Sequence, residues 1–97
     1  MFIVILTYKK PLEQVDELIP AHLEFLKKYY EQLKIICSGR RKPRVGGVIL
    51  ANTDSLDALW AILKEDPFYT HEIATFDVIE FTPTKCDERF ACFVNGT

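Results

Sequence analysis

The run Phe2-Ile3-Val4-Ile5-Leu6, followed by Thr7, Tyr8 and the break Lys9-Lys10-Pro11, does most to limit what this chain can fold into. Every position in it is apolar, so a strand made from it has no face to give to water. It reads as a central strand covered on both sides. The run is far shorter than the ~20 apolar residues of a membrane-spanning helix. No basic segment precedes it and no small-residue cleavage site follows, so it does not read as a secretory leader. A soluble, cytoplasmic chain without membrane attachment is the expectation.

From residue 12 to 33 the apolar positions change to helical spacing. Val15, Ile19, His22, Leu26, Tyr29 or Tyr30, and Leu33 recur at intervals of three or four and form one stripe. Pro20 donates no N–H and disfavours helical geometry at Ile19. The expectation is therefore a short turn first, then a main helix opening near Pro20. A second strand is expected over residues 34–39, an exposed connection over 39–44, and a third strand over 45–53. The pair Gly46-Gly47 suggests a bulge or a close backbone approach in that strand. Asp54 or Ser55 suits the N-cap of a second helix with Leu56, Leu59, Trp60 and Leu63 as its buried stripe. Pro67 ends that helix, Asp66-Pro67-Phe68-Tyr69 forms a tight turn, and residues 73–82 form the last strand.

The order strand, helix, strand, strand, helix, strand describes an α+β ferredoxin-like βαββαβ unit, with both helices on one face of a four-stranded antiparallel sheet. We read residues 1–85 as one domain and 86–97 as a C-terminal tail. The helices leave the other sheet face without cover, and strands this apolar imply a homodimer that buries it. With 48% hydrophobic residues the chain has material for a core, and a net charge of −2 offers no basic face for nucleic acid. The central strands also lack the aromatic and basic residues of an RNA-binding sheet. The cysteines Cys37, Cys86 and Cys92 describe no disulfide framework, and Cys37 reads as a small core residue. Asn95-Gly96-Thr97 matches a glycosylation sequon but carries no weight in a cytosolic chain.

His22 is the feature that folding alone does not demand. On the stripe with Ile19, Phe25 and Leu26, its imidazole points toward the sheet, where a polar group needs a partner. It is either a core histidine tied to a carbonyl or a general acid/base. Asp66 is either a plain helix stop or the acceptor of a His22 ring N–H, from Nδ1 or Nε2, that fixes the tautomer. A helix opening at Pro20 sets its N-terminal dipole against the imidazolium, which Asp66 favours. Arg40, Arg41, Lys42 and Arg44 form a solvated hairpin tip, unless Arg44 turns inward to hold a carboxylate or phosphate. Ser38 offers a hydroxyl beside it. His71 and Glu72 read as surface. His22, Asp66 and His71 lack paired metal-ligand spacing, so no metal is expected.

Together the opening strand, Pro20-Ala21-His22-Leu23-Glu24-Phe25-Leu26, Ser38-Gly39, Gly46-Gly47, Asp66-Pro67-Phe68 and Ile79-Glu80-Phe81-Thr82-Pro83 resemble the YCII-related (YciI-like) family over about residues 1–85. The resemblance implies a dimeric α+β barrel built from two ferredoxin-like subunits. It also implies an active-site pair that falls on His22 and Asp66, with no cofactor. Arg40 and Thr70-His71 stand where family members often carry a proline and a small residue. Both departures lie near the mouth of the implied pocket. Two functions stay open at this point. One is a lyase-, isomerase- or hydrolase-type enzyme acting on a small polar or cyclic molecule. There His22 is the acid/base, Asp66 its orienter, and Arg44 or Ser38 binds a polar group. The other is a non-catalytic dimeric module that binds a small ligand, with a structural His22–Asp66 hydrogen bond.

Overall fold

A computed structural model describes residues 1–94. The sequon at 95–97 lies outside the described residues. Four strands form one antiparallel sheet in the order β2-β3-β1-β4: β1 (Phe2–Tyr8), β2 (Ile35–Arg40), β3 (Gly46–Ala51) and β4 (Ala74–Glu80). The apolar opening run therefore sits in the interior of the sheet, between β3 and β4. Its side chains alternate. Phe2, Val4 and Leu6 are buried with Ile49, Ala51 and Ile35, against Val15, Phe25, Leu26, Leu59 and Leu63 from the helices. Each such burial removes roughly 1.5–3 kcal/mol worth of apolar surface from water. The βαββαβ expectation is met.

The opposite side of the sheet carries Ile3, Ile5, Val48, Leu50 and Ile79. Val48 and Ile79 are exposed there, and the other three are half-buried. Complete cover for β1 on both faces is thus not supplied by the described chain. A bulge between Ile35 and Cys37 sets the register of β2, so that Cys37 pairs with Leu50 on this face. Cys37 is consequently exposed, not a core residue, and Cys86 and Cys92 are exposed free thiols as well.

Pro20 does not open the main helix. α1 runs unbroken from Leu12 to Glu31, twenty residues with Pro20 inside. Packing overrides the local penalty. Val15, on the first turns, is as deeply buried as Phe25, Leu26 and Tyr29 on the last, and Pro20 lies on the exposed side. The Asp16 carbonyl that proline cannot serve therefore belongs to the solvent side of the helix. Leu33, at φ 60°, turns the chain out of the helix and is exposed rather than part of the stripe.

α2 (Leu56–Leu63) is capped by Ser55, whose hydroxyl accepts from the Ala58 N–H at 3.0 Å. The turn at Asp66 tightens into a single helical turn, α3 (Pro67–Thr70). Between them Glu65 accepts from Lys28 at 2.7 Å and from the Tyr29 hydroxyl, which ties the end of α2 to α1. The bond from Lys28, then that from Tyr29, holds the Glu65 carboxyl below its ordinary value. Beyond β4 the described residues include a 3₁₀ turn (Glu88–Phe90) and α4 (Ala91–Val94), where the Asn52 side chain donates to the Phe93 carbonyl at 3.0 Å. Among the described residues no helix is long and apolar enough to cross a membrane.

Gly46-Gly47 marks a close approach. A Cβ on Gly46 would lie 1.7 Å from the Leu6 carbonyl oxygen, and one on Gly47 3.1 Å from that of Gly39. These two residues let β3 close on its neighbours and leave a gap in the side-chain layer beside α1.

Candidate active site

α1 and α3 bring His22 and Asp66 together. Nδ1 of His22 lies 2.8 Å from Oδ1 of Asp66, and the two side chains are 15% and 0% exposed. Asp66 is held from its own side too, because as N-cap of α3 the same Oδ1 accepts the Phe68 N–H at 2.9 Å. The acceptor is therefore fixed before the imidazole meets it. A carboxylate oxygen can only accept, so Nδ1 carries the proton of this bond. Nε2 is left as the ring nitrogen with its lone pair available. Oδ2 of Asp66 is buried and has no partner among the described residues.

Phe68 completes the clamp. Its ring stacks on the imidazole with centroids 4.1 Å apart and planes 5° from parallel, and Tyr8 meets its edge at 6.0 Å. With one face against Phe68 and one nitrogen on Asp66, the imidazole has little freedom to turn. The helix-dipole expectation does not apply, since α1 starts at Leu12 and places His22 in its middle. The dipole effect fades within the first turn.

His22, with Asp66 behind it, borders a cavity of about 370 Å³ between α1 and the β2–β3 end of the sheet. Leu6, Ile19, Leu26 and Ile49 make its wall apolar, and Phe68 forms part of it. Ser38, Arg40 and Arg44 supply polar groups at the side opposite His22's helix. A volume of this size lies at the small end of the range for small-molecule sites. The backbone at Gly46 and Gly47 also lines it, so the missing side chains are part of the space.

All four residues singled out in the sequence border this space or touch one that does, but not all are free in it. The Ser38 hydroxyl is 2.6 Å from that of Tyr30. Arg44 donates through Nη2 to Asp16, a bond that pushes its guanidinium above its ordinary value, while its Nε is buried without an acceptor among the described residues. Arg41 is spent on structure, donating to the Thr7 hydroxyl at 2.9 Å and the Leu6 carbonyl at 3.4 Å. Asp16 and Tyr30 had no place in the sequence reading of the site. Tyr30 showed only as a stripe position, and nothing local links Asp16 to an arginine 28 residues away. Phe68 carried a usable signal, an aromatic two residues past the candidate aspartate. Among the described residues no group of three or more His, Cys, Asp or Glu side chains is placed to hold a metal ion.

A four-stranded antiparallel sheet with helices packed on one face defines the class of small ferredoxin-like α+β proteins. Within it this chain belongs to the YCII-related domain family, which matches residues 1–82. No curated protein matches it. Among solved structures it is similar to 5-chloro-2-hydroxyhydroquinone dehydrochlorinase from Burkholderia phenoliruptrix AC1100, in complex with 2,5-dihydroxybenzoquinone. The TM-score is 0.70 at 20% identity, over 84% of this chain and 93% of that one. At that identity the likeness establishes the fold.

Proposed function

We propose that the chain is a lyase- or isomerase-type enzyme in which His22 moves a proton on a small polar or cyclic molecule held in the cavity. The observation that carries this reading is the bond from Nδ1 to a carboxylate that is itself fixed by the Phe68 N–H. It sets the tautomer with Nε2 as base, and the same carboxylate supports the imidazolium once the proton arrives. Proton transfer of this kind asks for no group beyond the side chains. The similar fold of a dehydrochlorinase, whose complex holds a hydroxylated quinone, supports the class of reaction.

A second reading has its own support. Asp66 caps α3, so its carboxylate has structural work whether or not His22 reacts, and the chain then serves as a ligand-binding module. Two measurements bear on the choice, the first on the tautomer and the second on turnover. Imidazole ¹⁵N shifts, assigned with His71→Gln, are expected to show His22 with Nδ1 protonated and Nε2 bare, and this preference is lost in Asp66→Ala. Hydroxylated quinones and cyclic enols incubated in D₂O are expected to exchange a carbon-bound hydrogen, about 10²-fold more slowly with folded His22→Asn. Equal exchange with native protein and His22→Asn would leave the binding module.

The exposed face of the sheet bears on assembly. We infer that Ile3, Ile5, Val48, Leu50 and Ile79 pack against the same residues of a second copy to form a homodimer, an α+β barrel of two sheets. Sedimentation is expected to give twice the mass of one chain for the native protein and a single-chain mass for Ile79→Asp. Native protein sedimenting as single chains would remove the pairing.

A further inference from the structure

Among the described residues that line the cavity, Arg44 has a buried side-chain nitrogen without an acceptor. Its guanidinium offers five N–H donors in a planar fork. Nη2 is taken by Asp16, but Nε is shut off from solvent with no acceptor among the described residues. The partner it does have is weakly committed. The Asp16 side chain is 53% exposed on the outer part of α1, against 34% for Arg44. A carboxylate so well hydrated gains little from a surface pair and gives little up on leaving it. Arg44 in turn borders the cavity, where the remaining walls are largely Leu6, Ile19, Leu23, Leu26 and Ile49.

The charges around that space are unequal. Arg40 and Arg44 line it with cationic groups, His22, Tyr8 and Ser38 add an imidazole and two hydroxyls, and among the described residues no carboxylate lines it. Asp66 stands behind His22, and Asp16 reaches Arg44 from outside. An apolar cavity with two arginines at one side suits a compact apolar body that carries one negative charge.

We propose that the cavity binds small cyclic carboxylates, and that Asp16 is a placeholder which the ligand's carboxylate displaces from Arg44. Once Asp16 lets go, the guanidinium turns to present Nη2 and the formerly closed-off Nε to the cavity, and the incoming group takes both in the bidentate arrangement that a carboxylate and a guanidinium share. The orphaned Nε gains its acceptor, Asp16 returns to water, and the ring lies along Leu26 and Ile49 toward Nε2 of His22. This names the ligand class for the site of the proposed function and rests on that cavity being the ligand site. It does not require that His22 transfer a proton.

The test uses the full chain, with benzoate as probe and backbone amide NMR shifts at Leu26, Gly47 and Ile49 as readout. Benzoate is expected to bind saturably and benzamide, its neutral counterpart, at least about tenfold more weakly, the loss of one charge-assisted contact. Arg44→Gln should reduce benzoate affinity about tenfold and leave benzamide unchanged. Asp16→Asn removes the competitor and should tighten benzoate several-fold. That variant decides the matter even if Arg44→Gln does not fold. Benzamide binding as tightly as benzoate, weaker or unaltered benzoate binding in Asp16→Asn, or no saturable binding would each overturn the proposal. Inorganic phosphate binding as tightly as benzoate would overturn the ligand class by showing a bare anion site. Failure here with intact deuterium exchange leaves the enzyme reading standing, whereas Arg44-dependent binding without exchange removes only the enzyme reading.

Discussion

Asp66→Ala is expected to lower stability by roughly 2–3 kcal/mol, and Asp66→Asn by less than half as much. Alanine strips Oδ1 from two donors at once, the His22 imidazole at 2.8 Å and the buried Phe68 N–H at 2.9 Å. A buried donor left without an acceptor costs about 1–3 kcal/mol, and a lost helix cap about 1. Against this runs the relief of Oδ2, a buried carboxylate oxygen with no partner among the described residues, which keeps the total below the sum of the losses. Asparagine retains an oxygen for both donors and so spares most of the fold, but it removes the negative charge behind the imidazole. Urea denaturation of the three proteins checks the order. Equal loss for Asn and Ala would show that the charge, not the two hydrogen bonds, holds this corner together.

Gly46→Ala should be more damaging still, on the order of 3 kcal/mol or more. Overpacking by a methyl group typically costs about 1–3 kcal/mol where side chains can give way. Here the new Cβ falls 1.7 Å from a carbonyl oxygen of the central strand, and backbone paired on both sides cannot give way. The neighbouring glycines provide the control. A Cβ on Gly47 meets the Gly39 oxygen at 3.1 Å, and one on Gly39 meets nothing within 4 Å. Denaturation midpoints should therefore fall in the order Gly39→Ala, Gly47→Ala, Gly46→Ala, with the last protein the least stable. A Gly46→Ala midpoint close to that of the native protein would mean that β3 and β1 can separate locally at no cost.

Local chemistry made much of the fold readable. A continuous apolar run marks a strand between two others, and the Ser55 cap and Pro67 bracket α2. The YCII-related family was legible in motifs spread along the chain. Pro20 misled because its local penalty is real. The core contacts at both ends of α1 outweigh it, and contacts between distant segments have no local signature. Cys37 was misplaced for a related reason: a one-residue bulge in β2 reverses which side chains face the helices, and no residue announces it. At the site, one stripe and one dipeptide brought His22 and Asp66 under consideration. The choice of Nδ1, the stacking of Phe68 and the Asp16–Arg44 pair depend on how α1, α3 and the β2–β3 connection meet.

The groups around the cavity sit on two separate parts of the architecture. His22, Asp66 and Phe68 belong to α1 and the α2–α3 junction, clamped by core packing and by the Glu65 bonds. Arg40 and Arg44 belong to the rim where β2 turns into β3, and residues 41–45 there carry no core side chain. A lineage descending from this chain can therefore rewrite the polar rim of the cavity through a short surface loop, while the clamped His22–Asp66–Phe68 arrangement is inherited unaltered.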